Sequence, residues 1–483
     1  MGIDKTRNIT AAAFTLTAAS ALLAGCFGGS SGGGGGGDDD APFEGNLSGQ
    51  LTAPNGSTPI PDATVYIPDD GTGAASFTAS AMSNGQTTCP EPQEANVAWS
   101  CTDSQGNFDF AVDLEAGTAV TLKAVKGKWS LVQEMTLDSA STGTLSFSNN
   151  PDEGAANIAV VTGSFDNIEN VLAKIGMGEM GTVQGMAALQ RMPKPHSHGH
   201  DHGHSHGHGH VHALESCEPS DFGLDEWPDD DGFDAELFCE IYAGEDFDFD
   251  DFDDFDENFS SGELELGTET FSLYNGGGFL PEEYPDVHAL FDTSEGEAAI
   301  FGYDIVYINC GATSPSDPNW QTTVQEYVNQ GGVLYVTDLS RNYVTGPFSN
   351  YVAEKGSGSG TQELPGTVTN APLADWLDGV ECVDGDCIAG DDEIQLTGLA
   401  GGWALLNPQE SSEGDGVETL VQADVSELVS VAEGVEPMTM RFSSGDGMVI
   451  FSSYHTAGGF AGSGDDFLPQ ERILEYLFYS NVD

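Results

Sequence analysis

Positive charge is what this sequence most lacks: 12 Lys and Arg stand against 79 Asp and Glu, a formal net charge of −67. A surface of that sign repels nucleic-acid phosphates, which excludes a nucleic-acid partner. It suits either a high-salt habitat, where self-repulsion is screened within about 3 Å at molar salt, or the binding of cations. Composition is the same in both cases. Also missing is any run that could cross a bilayer, since a spanning helix needs about 20 strongly apolar residues. The apolar stretch from Ile9 to Leu23 is too short and too rich in Ala and Thr, and no later segment comes closer. Cysteine is sparse, at eight in 483 residues.

What is present begins with an export signal. Lys5 and Arg7 precede the apolar stretch, and Leu23-Ala24-Gly25-Cys26 closes it. That is the pattern of a signal peptide and not of a folded element. The last four residues resemble the bacterial lipoprotein box, which implies lipidation of Cys26, removal of the preceding residues and attachment to a membrane through the lipid. Phe27 in place of Asp after the cysteine implies, by the same resemblance, onward transport to the outer membrane of a Gram-negative cell. The expected location is the cell envelope, with a partner on the cell surface or in the periplasm that the sequence does not specify. Residues 27–42 include GGSSGGGGGGDDD, which cannot bury apolar surface and reads as a flexible tether. An exported chain meets an oxidising compartment. Cys89 with Cys101, Cys217 with Cys239, and Cys382 with Cys387 are close enough in sequence to pair locally, leaving Cys310 over.

Residues 43–149 carry short alternating runs punctuated by Gly, Pro, Asn and Asp, the pattern of a small antiparallel sandwich. Val65, Ile67, Phe108, Phe110, Val112, Val120, Leu122 and Val125 are the expected inward residues, and Asp103 to Asn107 the expected turn. Gly49, the run from Pro61 to Val65, the turn from Thr102 to Phe108 and Ala116-Gly117 resemble the carboxypeptidase regulatory-like, or transthyretin-like, sandwich. That resemblance implies a non-catalytic spacer or binding module. The stretch Ala75 to Trp99, which holds Cys89, departs from its compact form.

Residues 157–483 read as α/β. An apolar strand ends at Gly163, and Asp166 with Glu169 three residues on forms a candidate capping box. Ile168, Val171, Leu172 and Ile175 then share one helical face. YDIVYINCG is a second strand, ending at Gly311. Asp317-Pro318 opens a helix whose Trp320, Val324, Tyr327 and Val328 share a face, and Gly331-Gly332 closes it. VLYVTD follows at once, so a parallel pair with a right-handed crossover is expected. GMVIFSSYH is a further strand and PQERILEYLFY a terminal helix.

This succession looks like the class I glutamine amidotransferase-like superfamily and its degenerate exported members. The implied chain is multi-domain: an all-β sandwich followed by a flavodoxin-like α/β domain, with a long insertion at about 177–262. The family's reaction needs a cysteine on a strand-to-helix elbow, activated by a histidine that an acidic residue orients. In this chain Asp338 and Leu339 stand at the elbow, with no cysteine there. Cys310 lies at the preceding strand end, where the family usually has a glycine-rich oxyanion turn. His455 matches the family's histidine, but Thr456 and Ala457 follow it without the acidic partner. Asp338, His455 and Cys310 are therefore the candidates for a modified site, and glutaminase activity is not expected.

The insertion holds two tracts that cannot pack a core. In HSHGHDHGHSHGHGHVH, nine histidines alternate with other residues: His196, His198, His200, His202, His204, His206, His208, His210 and His212. Neutral imidazole ligates Zn, Cu and Ni, and the intervening small residues let many sets of three or four rings gather round one ion. The same composition also fits a solvated linker. The acidic tract places Asp246, Asp248, Asp250 and Glu257 at calcium-loop spacing, but Asp251 stands where the loop's sharp turn requires Gly, so it reads as charged loop. The leading expectation is a non-catalytic, lipid-anchored binding protein with a divalent-metal-binding loop. The alternatives are a hydrolase or ligand-processing enzyme using the modified site, and a metal-sequestering lipoprotein.

Overall fold

The computed structural model describes residues 42–69, 89–184, 260–455 and 467–480, apart from short interruptions. The export segment with Cys26, the tether, the nine tract histidines, Cys217, Cys239 and the acidic tract lie outside the described residues.

The first seven strands are β1 (Pro42–Thr52), β2 (Thr64–Pro68), β3 (Asn96–Cys101), β4 (Asn107–Glu115), β5 (Ala119–Lys126), β6 (Trp129–Thr136) and β7 (Ser141–Ser146). They form two sheets, in the orders β4-β1-β7 and β3-β2-β5-β6. Strand side chains alternate between faces with period two. Val65, Ile67, Phe108, Phe110, Val112 and Leu122 accordingly enter the common core, with Val120 partly buried against it. Val125 does not: it packs on the opposite face beside Tyr66 and Trp99, and Ala124 takes the core position. The turn after β3 is built by Asp103, whose Oδ1 accepts the amides of Gln105 and Asn107 at 2.9 and 2.8 Å. Gly106 sits there at φ +71°, and a Cβ would come within 2.4 Å of the Leu51 carbonyl oxygen. Cys89 is disulfide-bonded to Cys101, and Cys382 to Cys387, as the spacing suggested.

The remainder follows as β8 (Ile158–Thr162), α1 (Ile168–Leu172), β9 (Met180–Gln184), β10 (Ser260–Leu264), β11 (Ser272–Asn275), α2 (Val287–Phe291), β12 (Ile305–Ile308), α3 (Trp320–Asn329), β13 (Val333–Thr337), α4 (Asn342–Thr345) and β14 (Val352–Gly358). Then come β15 (Thr361–Val368), α5 (Ala371–Leu377), β16 (Glu381–Cys382), β17 (Gly385–Asp386), β18 (Glu393–Leu399), β19 (Trp403–Pro408), β20 (Glu418–Asp424), β21 (Val435–Ser444), β22 (Gly447–Ser452) and α6 (Pro469–Ser480). Nine of these strands make one sheet in the order β11-β8-β12-β13-β22-β21-β20-β15-β18. The first five run parallel and the last four add antiparallel.

Counted along the chain, the five parallel strands lie in the order 2-1-3-4-5, which places a topological switch point beside β8. Every residue of β8, β12 and β13 is buried. Their unbroken apolar sequences are what parallel strands covered on both faces require. The predicted crossover between β12 and β13 is present, and α3 buries the expected Trp320, Val324, Tyr327 and Val328.

The capping box is a correction. Helix α1 starts after Asn167 without a side-chain cap, because the Asp166 and Glu169 carboxylates bond to Thr337 and Asn309 instead.

Helix α6 joins the two β systems. Trp129 of β6 packs 5.0 Å from Phe478 and 5.3 Å from Tyr479. Ile473, Leu474, Leu477 and Phe478 are at most 1% exposed. At about 1.5–3 kcal/mol each, four such side chains contribute roughly 6–12 kcal/mol. That is enough to hold the buried Glu471 and Glu475 in the same helix once Lys174 and Arg472 pair with them. The described residues from Pro42 onward form one compact unit.

Candidate functional site

Three neighbouring parallel strands, β12, β13 and β22, end at the same edge of the sheet, and each delivers one of the three sequence candidates there. Cys310 lies two residues beyond β12, Asp338 immediately follows β13, and His455 lies three residues beyond β22. Strand spacing near 4.8 Å is what lets side chains from adjacent strand ends converge. One donor atom from each of Cys310, Asp338 and His455 lies within 4.8 Å of the others.

Asp338 is the hub. It opens a 3₁₀ turn, Asp338–Ser340, at φ +45°, a left-handed backbone that few residues other than glycine adopt. Its side chain is 4% exposed and both carboxylate oxygens are engaged. The Ala404 amide donates to Oδ1 at 2.6 Å. His455 Nε2 lies 3.1 Å from Oδ2, and the Cys310 thiol donates to the same oxygen at 3.5 Å. The strained turn is held further by Ser340, whose hydroxyl donates to the Asn309 carbonyl at 2.7 Å and accepts the Ala312 amide at 3.0 Å. Ser340 thereby ties the end of β13 to the end of β12.

A second buried carboxylate, Asp166, stands behind the first at 1% exposure. The Thr337 hydroxyl donates to its Oδ2 at 2.8 Å, and the Asn309 side-chain amide donates to its backbone carbonyl at 3.0 Å. Gly163 permits this closeness, since a Cβ there would lie 2.0 Å from the Cys310 carbonyl oxygen. Sequence reasoning placed Asp338, His455 and Cys310 but missed Asp166, Asn309, Thr337, Ser340 and Ala404. For Ser340 a local signal existed, two residues after Asp338. Nothing local points to Ala404, which arrives on β19.

The electrostatics follow from these positions. Burial disfavours the charged form of His455, but the hydrogen bond and charge of Asp338, with the charge of Asp166 behind it, outweigh burial and raise its pKa above 6.5. Burial, joined by the charge of Asp338, pushes the Cys310 thiol well above its ordinary 9.0. Cys310 is fully buried. Nucleophilic chemistry needs a thiolate in reach of substrate, and both the burial of Cys310 and the upward push on its thiol oppose that. What the arrangement offers is proximity: one sulfur, one nitrogen and one oxygen donor gathered within 4.8 Å, donor types that transition-metal cations take.

The fold and site thus define a β-rich chain with a nine-stranded mixed sheet and a buried Asp–His–Cys cluster at the carboxyl edge of its parallel half. No family model matches the sequence, and no curated protein matches it. Solved structures similar to parts of it include a ThuA-like protein from Bacteroides uniformis, 11% identical over 43% of this chain and 76% of that one, with a TM-score of 0.28. A glutamine amido transferase from Methylobacillus flagellatus is 10% identical over 44% of this chain and 86% of that one, with a TM-score of 0.25. A glutamine amidotransferase from Thermotoga maritima is 8% identical over 39% and 65%, with a TM-score of 0.23. Likeness this weak carries no conclusion about activity.

Proposed function

We propose that this chain is an exported, lipid-anchored binding protein of the cell envelope without catalytic activity, tethered to the membrane through Cys26 and able to hold divalent metal in a histidine-rich loop. Its first β system is read as a carboxypeptidase regulatory-like sandwich, a reading supported by the three- and four-stranded sheets around one core. The rest is read as a flavodoxin-like, amidotransferase-derived domain, supported by the 2-1-3-4-5 order of its parallel strands. The insertion reading is supported by β9 and β10, which pair antiparallel with Gln184 opposite Ser260 and so bracket the histidine and acidic tracts. Zn, Cu and Ni are the metals whose chemistry fits the nine imidazoles from His196 to His212.

The observation that carries the non-catalytic reading is the state of the elbow. Asp338 occupies it with both oxygens turned inward, onto Ala404, His455 and Cys310, and almost no surface in reach of a substrate. A working nucleophile needs the opposite: an exposed atom with its activating base behind it. The test is to assay the purified chain for ammonia release from glutamine and for hydrolysis of a panel of amides, esters and glycans. No turnover above background is expected. Turnover that His455→Ala abolishes would replace this reading with a hydrolase using the modified site.

A further inference from the structure

We propose that Cys310, Asp338 and His455 form a second, built metal site, distinct from the histidine tract, that takes one zinc-class transition-metal ion at the carboxyl edge of the parallel sheet. The donor set is the first argument. Thiolate sulfur, imidazole nitrogen and carboxylate oxygen are the three protein ligand types of zinc, and one of each converges here.

Distance is the second. Zinc bonds of about 2.3 Å to sulfur and 2.0–2.2 Å to nitrogen and oxygen put neighbouring donors of a tetrahedral ion roughly 3.4–3.6 Å apart. Here the His455 and Asp338 donors are 3.1 Å apart and the Cys310 and Asp338 donors 3.5 Å apart. The third separation is at most 4.8 Å. His455, at 12% exposure the least confined of the three, is the ligand that would have to shift to bring that pair to bonding distance.

The third argument is support around the ligands. Asp338 spends Oδ1 on the Ala404 amide, which leaves Oδ2 as a single oriented donor, the arrangement by which outer hydrogen bonds fix metal ligands. Ser340 clamps the ends of β12 and β13 together, so Cys310 and Asp338 are positioned before any ion arrives. Buried Asp166 adds negative charge to the wall, which a dication offsets. On binding, the Cys310 S–H bond breaks as the sulfur–metal bond forms, the proton passes to solvent, and no redox change occurs.

The test uses the whole chain, purified in detergent, with each of the nine tract histidines replaced by serine, beside the wild type. Cobalt(II) is titrated in and then displaced by zinc. The expected result is one equivalent of metal retained per tract-free chain after gel filtration, with a thiolate-to-cobalt charge-transfer band in the near ultraviolet that zinc removes. Cys310→Ser should abolish the band, and His455→Ala should weaken retention at least tenfold. His455→Ala, at the more open edge of the site, keeps the test decisive if Cys310→Ser fails to fold. A tract-free chain that retains no metal, or a band that survives Cys310→Ser, overturns the proposal. If instead the tract-free chain and the wild type retain the same single equivalent, the site stands and metal binding by the tract is what fails.

Discussion

Lys174 and Glu471 make the deepest ion pair among the described residues, and replacing Lys174 by Met tests how α6 is held. The ammonium lies 2.9 and 3.0 Å from the two carboxylate oxygens, and the side chains are 4% and 3% exposed. Met keeps the aliphatic length and a favourable contact with the Phe467 ring, over which Lys174 sits at 5.4 Å. What it removes is the charge. Glu471 then keeps only the Leu468 amide at 2.7 Å and the field of Arg472. Breaking a buried pair by removing one partner costs about 3–5 kcal/mol. At about 2.1 cal/mol/K of unfolding entropy per residue, a folded body of roughly 320 residues loses about 4–7 °C of melting temperature.

The pH dependence has a definite sign. Burial already holds the Glu471 pKa above 4.5, against the pull of Lys174. A carboxyl whose folded pKa is raised contributes stability that is full below its unfolded value and is lost as pH rises through the folded value. Without Lys174 the folded value climbs further. The deficit of Lys174→Met should therefore be largest at pH 7–8 and shrink towards pH 4.5, as the pH falls through the raised folded value of Glu471 towards its ordinary one. Calorimetric melts of both proteins at fixed salt, from pH 8 down to pH 4.5, measure it. A deficit below about 1 kcal/mol, or one that does not narrow on acidification, refutes the reasoning. The double variant Lys174→Met with Glu471→Leu should recover most of the loss, since well-packed apolar replacements of a buried pair are often neutral or better.

Gly163→Ala should cost about 1–3 kcal/mol, because the added Cβ meets the Cys310 carbonyl 2.0 Å away and must push the end of β12 aside; melting curves check the cost. The same variant should lose the cobalt charge-transfer band. Ser340→Ala removes two hydrogen bonds, leaving the Asn309 carbonyl and the Ala312 amide only the 3.2 Å bond between them, and should cost about 1–3 kcal/mol in denaturant unfolding, with no change in slope. Replacing the nine histidines from His196 to His212 by serine should remove all micromolar binding of Zn, Cu and Ni except the equivalent assigned to Cys310, Asp338 and His455, measured by calorimetry. Calcium should bind neither form with a defined stoichiometry.

What could be read from the sequence was set by range. The apolar runs of β8, β12, β13 and β22 announce strands because each is buried on both faces, and the period in α3 announces its buried side because a single helix decides it. The three site candidates were legible for the same reason: each sits within three residues of the end of such a strand. Val125 was misplaced by one position, where a short strand with apolar residues on both faces offers two registers and packing chooses Ala124 for the core. The antiparallel half of the large sheet, β21-β20-β15-β18, was missed altogether, since its strands alternate with Gly, Ser, Asp and Thr that also fit loops. Asp166 shows why the rest could not be read. Locally it has the spacing of a helix cap, and an isolated segment would use it so. In the folded chain Thr337, 171 residues away, takes its Oδ2, and Glu169 goes to Asn309, 140 residues away. A buried carboxylate satisfied from another strand is favoured over a solvent-exposed cap because the cost of leaving it unpaired is paid in the interior. The choice therefore belongs to the assembled sheet, and with it the negative wall that makes Cys310, Asp338 and His455 a site.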